Sequence, residues 1–176
     1  DIGAVHYKGL PLAWHSSTGF PHPTYYEPDG LGWLRSFGGG LLTTCGLDAF
    51  GAPSDDAGDH FGIHGRIGNL PAEQVNYDVG WSGEAYPLAV RGRVRQTRHY
   101  GENLTLERQI STAFGSNTIT VQDTVTNEGF EPQPHMILYH CNLGFPLISA
   151  ESELTMNAKE SRPRDEAARP GLADCL

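Results

Sequence analysis

A chain of 176 residues has the length of one domain and can bury a substantial core. Its hydrophobic fraction of 38% and charged fraction of 19% are low, while 22 glycines and 12 prolines are many, a balance that favours short strands and tight turns over long helices. The net charge of −9, with the basic residues scattered, argues against a nucleic-acid-binding stripe, and no apolar run approaches the ~18 residues of a membrane span.

Residues 2–7 alternate between apolar and polar, and residues 10–14 are mostly apolar. Residues 15–32 are rich in Pro, Gly and aromatics and read as a long irregular loop. Gly38, Gly39 and Gly40 give the backbone access to positive φ and let other groups approach closely, and residues 41–45 then form a short strand. A second loop covers residues 48–61. From Tyr77 the pattern becomes regular. Over residues 88–99, Leu88, Val90, Gly92 and Val94 share one side and Arg91, Arg93 and Arg95 the other. Strands at residues 104–111 and 118–127 follow, separated by Gly/Asn turns, and the three make an antiparallel meander. A fourth strand over residues 136–143 is more apolar and is expected to be central. Residues 157–176 are polar, show neither helical nor strand periodicity, and read as a loop or tail.

Cys45, Cys141 and Cys175 form neither a disulfide framework nor a zinc motif and suit a reducing cytoplasm. The first residues lack the basic-then-apolar pattern of a signal peptide, so a cytoplasmic location is expected. His60 and His64 stand four apart, the spacing of two metal ligands on a helix, but the intervening and following glycines do not read as helical. No metal site and no cofactor is therefore expected. There is no Gly-X-Ser-X-Gly elbow and no phosphate loop ending in Gly-Lys-Ser/Thr.

Two histidines stand out. His64 lies between Ile63 and Gly65, beside Arg66, whose guanidinium fork suits sugar hydroxyls or a carboxylate. The same string also fits a turn with a hydrogen-bonded histidine. His140 and Asn142 point to one face of an apolar strand, where burial without partners costs about 1–3 kcal/mol each. They form either a satisfied core pair or the lining of a polar cleft.

Three strings carry a resemblance: Gly39-Gly40-Leu41-Leu42-Thr43-Thr44-Cys45-Gly46-Leu47, His64-Gly65-Arg66-Ile67-Gly68-Asn69-Leu70-Pro71-Ala72, and Leu138-Tyr139-His140-Cys141-Asn142-Leu143-Gly144-Phe145-Pro146-Leu147. Their order and separation resemble a bacterial branch of the aldose 1-epimerase (galactose mutarotase-like) superfamily, one often left as a domain of unknown function (DUF4432-like). The resemblance implies an all-β, antiparallel galactose mutarotase-like β-sandwich with a sugar cleft. It further implies that His140 protonates the pyranose ring oxygen, that His64 orients or polarises the sugar, and that a carboxylate takes the anomeric proton. The ring opens, the C1–C2 bond rotates, and reclosure gives the other anomer by general acid–base catalysis. Arg66, Asp48 and Asn142 are the candidates for holding hydroxyls. No Glu matches the carboxylate, so residues 1–176 read as a single partial domain that lacks N-terminal strands and a C-terminal part. The partner is then a small-molecule sugar, with self-association through exposed sheet edges a further expectation. A second reading is a non-catalytic carbohydrate-binding module with Trp33 or Trp81 stacking on the sugar; a third is an inactive fragment.

Overall fold

A computed structural model describes residues 1–160 and 162–174, so Cys175 lies outside the described residues. In chain order the strands are β1 (His6–Tyr7), β2 (Leu10–Pro11), β3 (Leu42–Leu47), β4 (Ser54–Asp56), β5 (Asp59–Phe61), β6 (Ala72–Val79), β7 (Pro87–Thr97), β8 (Asn103–Ala113), β9 (Thr120–Asn127) and β10 (Met136–Cys141). One short helix, α1, follows at Arg169–Asp174. All strand pairs are antiparallel, and the main sheet has the order β6-β7-β8-β9.

The two faces of this sheet follow from alternation. Val90 stands opposite Ile110, which stands opposite Val121; Val94, Leu106 and Val125 make a second apolar row. The Arg91, Arg93 and Arg95 series points the other way, as the sequence pattern requires. On the apolar face, Leu104 and Leu106 are buried together with Leu47 and Ile67, and Leu70, Val94, Val125 and Ile137 pack around them. Leu47 and Ile137 come from β3 and β10, so the β3–β10 pair forms a second layer over the four-stranded sheet.

A polar link crosses between these layers. The Tyr139 hydroxyl of β10 donates to Asp123 Oδ2 of β9 at 2.7 Å, and Arg108 of β8 donates to the same carboxylate from Nη2 at 2.6 Å. Burial alone would raise the Asp123 carboxyl. The hydrogen bonds from Arg108 and Tyr139 outweigh it and hold Asp123 below the usual carboxylate range. Asp123 is therefore charged at neutral pH and stays paired with Arg108 inside the sandwich.

Four sequence expectations change. β6 starts at Ala72, before the regular pattern visible from Tyr77, because the register shifts between Glu73 and Asn76 and breaks the alternation. β10 is not central: among the described residues it pairs with β3 alone. Its apolar character has another cause, for it lies between the core on one side and an aromatic layer on the other. The loop at residues 48–61 contains the β4–β5 hairpin, and the polar stretch 157–176 contains a 3-10 turn at Glu166–Ala168 followed by α1, both too short to register as periodicity. The meander of β7, β8 and β9 stands as expected.

Leu104→Ala removes a side chain only 2% exposed at the centre of the core. It is expected to lower unfolding free energy by about 2–5 kcal/mol, read from the urea midpoint at an unchanged slope. Val90→Ala, at a side chain 49% exposed on the same face, should cost markedly less.

Candidate functional site

The β3–β10 pair turns Thr43 and His140, which are directly opposite one another, away from the four-stranded sheet. Trp14, Trp33, Phe37 and the His64 turn supply the layer that covers this side. Within it a 3-10 turn at Gly32–Arg35 carries Trp33, which is 3% exposed, and the Ser36 N–H closes onto the Trp33 carbonyl at 3.0 Å. Trp33 stacks on Phe37 with centroids 4.4 Å apart. His140 packs edge-to-face on Phe37 at 5.3 Å, and His64 packs on Trp33 at 4.7 Å. The two histidine rings then meet nearly at right angles, 5.5 Å apart.

His64 reaches this position through its backbone. Its φ is 63°, in the left-handed region where histidine is tolerated better than most residues, and Gly65 follows at 69°. Gly46 of β3 donates its N–H to the His64 carbonyl at 3.1 Å, and Arg66 donates to the Gly46 carbonyl at 3.0 Å. These bonds seat the turn directly on the strand. A Cβ on Gly65 would stand 2.4 Å from the Ala49 carbonyl oxygen and 2.5 Å from that of Gly46, so only glycine fits. From the other side, the Tyr26 hydroxyl donates to the Gly65 carbonyl at 2.9 Å.

The ring chemistry follows from these contacts. His64 Nδ1 accepts the Gly51 N–H at 3.4 Å, which leaves Nε2 to carry the proton of the neutral ring. Burial lowers the His64 pKa below its ordinary value, and the nearby charges of His140 and Arg164 add to the effect. His64 is thus neutral at pH 7. His140 Nδ1 is buried and has no hydrogen-bond partner among the described residues.

The remaining candidates are placed as follows. Asp48 is half-buried just after β3, and Arg66 is exposed just after the His64 turn. Both act on the half-buried Tyr26 hydroxyl: burial raises its pKa, Arg66 opposes the rise and Asp48 adds to it. Tyr26 was not singled out from the sequence, where it sits in a loop 39 residues from its acceptor, Gly65. Asn142 lies beyond the end of β10 and directs its amide nitrogen to the carbonyls of Gly40 at 2.9 Å and His140 at 3.1 Å. It holds the strand end to the glycine loop. His60 is on β5 and pairs with Asp55, away from the His64 turn. Trp33 forms a wall of the histidine cluster, whereas Trp81 lines a hollow on the four-stranded sheet that includes neither histidine.

The antiparallel two-layer sandwich defines the class, and the similarity to known proteins agrees with that fold. The chain belongs to the family described as a domain of unknown function (DUF4432), which it matches over residues 1–175. Among solved structures it is similar to a protein from Klebsiella pneumoniae subsp. pneumoniae that is provisionally assigned as an aldose 1-epimerase, with 27% sequence identity and a TM-score of 0.65. The similarity covers 78% of this chain and 39% of that one, so the chain spans about two-fifths of the length of that protein. No curated protein matches the chain. The all-β, aldose 1-epimerase-like fold expected from the sequence is the fold observed. Among the described residues, no helix is long and apolar enough to cross a membrane, which says nothing of a β-barrel.

Because the folded His64 pKa lies below the ordinary value of about 6.5, protonation favours the unfolded chain. Stability from this group is full above about pH 6.5 and is lost as pH falls through the folded value. His64→Asn keeps a residue suited to positive φ and removes the titration. Urea midpoints compared between pH 7.5 and pH 5 should fall less in this variant than in the parent chain.

Proposed function

We propose that the histidine cluster belongs to a sugar site of the aldose 1-epimerase type, which exchanges the anomers of a small aldose or aldose derivative by general acid–base catalysis. The observation that carries the reading is the meeting of His64 and His140 at 5.5 Å, from two strings that the sequence places far apart, within a layer walled by Trp33 and Phe37. The likeness to the provisionally assigned aldose 1-epimerase supports it.

In this reading His140 is the acid. Its Nδ1 is shielded by burial, so Nε2 is the nitrogen that meets the ring oxygen of a bound pyranose. His64 stays neutral and donates from Nε2 to a sugar oxygen. Two like charges this close repel, so a neutral His64 beside His140 leaves one proton to transfer rather than two in conflict. The aromatic rings supply an apolar surface for the C–H side of the sugar. Arg66 and Asp48 offer a fork and an acceptor at the edge of the turn, and Asn142 acts by holding the end of β10. The base that takes the anomeric proton is not assigned to a residue of this chain.

We read the chain as part of a larger sandwich. Val75, Tyr77 and Val90 are 61%, 76% and 49% exposed on or beside the apolar side of the sheet, a surface further strands would cover. Uncovered, it favours self-association of the chain made alone.

Anomer exchange of several aldoses, followed by NMR on this chain and on a version extended by its continuous coding sequence, tests the assignment. Accelerated exchange is expected in the extended protein, with His140→Ala lowering the rate by about 10²–10⁴. A sugar that perturbs the cluster resonances without any faster exchange would instead mean recognition without turnover.

A further inference from the structure

The four-stranded sheet also presents its polar face to solvent, and this face is hollowed. Arg91, Arg93, Glu107, Gln109, Gln122 and Thr124 line a groove of about 310 Å³. Arg91 and Gln109 also line a second hollow of about 810 Å³, together with Ala89, Ser111, Asp78 and Trp81. The two shared residues join both into one trough that follows β8 from Glu107 to Ala113. Six strand steps of about 3.4 Å make it about 20 Å long, longer than one sugar ring requires.

We propose that this trough is a second carbohydrate site, separate from the histidine cluster, and that it takes a neutral oligosaccharide lying along the strands. Three observations support it. Trp81 is 74% exposed and is braced edge-to-face by Tyr86 at 5.2 Å, so one ring face is free to cover the C–H side of a pyranose. Ala89, Ser111 and Ala113 put small side chains beneath it, which lets a ligand approach the sheet. Arg91 is held flat by its bond from Nε to Gln109 Oε1 at 2.6 Å and by its ion pair with Asp78, an arrangement of planar forks and amides suited to pairs of vicinal hydroxyls.

Charge selects the ligand. Arg91 is paired with Asp78 and Arg93 with Glu128, so a phosphorylated or sulfated chain gains no net attraction, whereas neutral hydroxyls meet donors and acceptors alike.

The test is a titration of the isotopically labelled chain with maltohexaose, cellohexaose, xylohexaose and mannohexaose, following the Trp81 indole and Gln109 amide resonances. At least one hexasaccharide is expected to shift both. Trp81→Ala should then weaken its Kd roughly tenfold, Trp81→Phe should retain binding, and His140→Ala should leave it unchanged. The proposal is overturned if none of the four sugars moves these resonances. It is equally overturned if binding survives the double variant Trp81→Ala, Gln109→Ala, or disappears with His140→Ala, which would return the sugar to the histidine cluster.

Discussion

The contact on which the rest of the site depends is between two backbones. Gly46 of β3 and Gly65 of the His64 turn approach so closely that Gly46 bonds to the residues on either side of Gly65, donating to the His64 carbonyl and accepting from the Arg66 N–H. Any side chain at Gly65 would fill that space. The same strand pairs with β10, which carries His140. One strand therefore positions both histidines, one through a turn docked on its backbone and the other through its ladder partner. Left-handed backbone at His64 is the conformational cost of this arrangement, one that Gly65 avoids.

A second constraint keeps that strand pair on the sheet below. Apolar contact of Leu47 and Ile137 with Leu104 and Leu106 joins the two layers. Nondirectional burial of this kind does not set a unique alignment. The Asp123 carboxylate, bonded by Arg108 from its own sheet and by Tyr139 from the strand above, adds a directional contact between the layers. Buried charge is costly when unpaired. Here both partners are satisfied, and the hydrogen bonds outweigh the desolvation of the carboxylate.

Polar chemistry thus sits on both outer surfaces of the molecule, with the apolar core between. On one side two histidines meet among aromatic rings, where burial keeps His64 neutral. On the other, an arginine series is matched by carboxylates across an open sheet face. The first is a compact cluster suited to moving a proton; the second is a long, charge-balanced trough suited to recognition. The two faces share no lining residue, so they can be altered independently.

Much of the fold was legible in the residues because alternation is a local property. The meander of β7, β8 and β9, the apolar and arginine faces of β7, and the short strand after the glycine loop all follow from side-chain period and turn residues. Where a local rule was broken, the reading failed: the register shift between Glu73 and Asn76 hid the first half of β6, and the apolar β10 suggested a central strand when it is covered on both faces by different layers. His64 and His140 could be singled out from their neighbours in sequence, and the three strings pointed to the aldose 1-epimerase-like fold. Their meeting could not be read there, nor could Tyr26 beneath Gly65, the backbone role of Asn142, or the separation of Trp81 from the histidines. Those depend on which backbones touch across the sandwich. Residue types and spacing determined the strands and the candidate chemistry, while long-range packing decided which of those groups share a site.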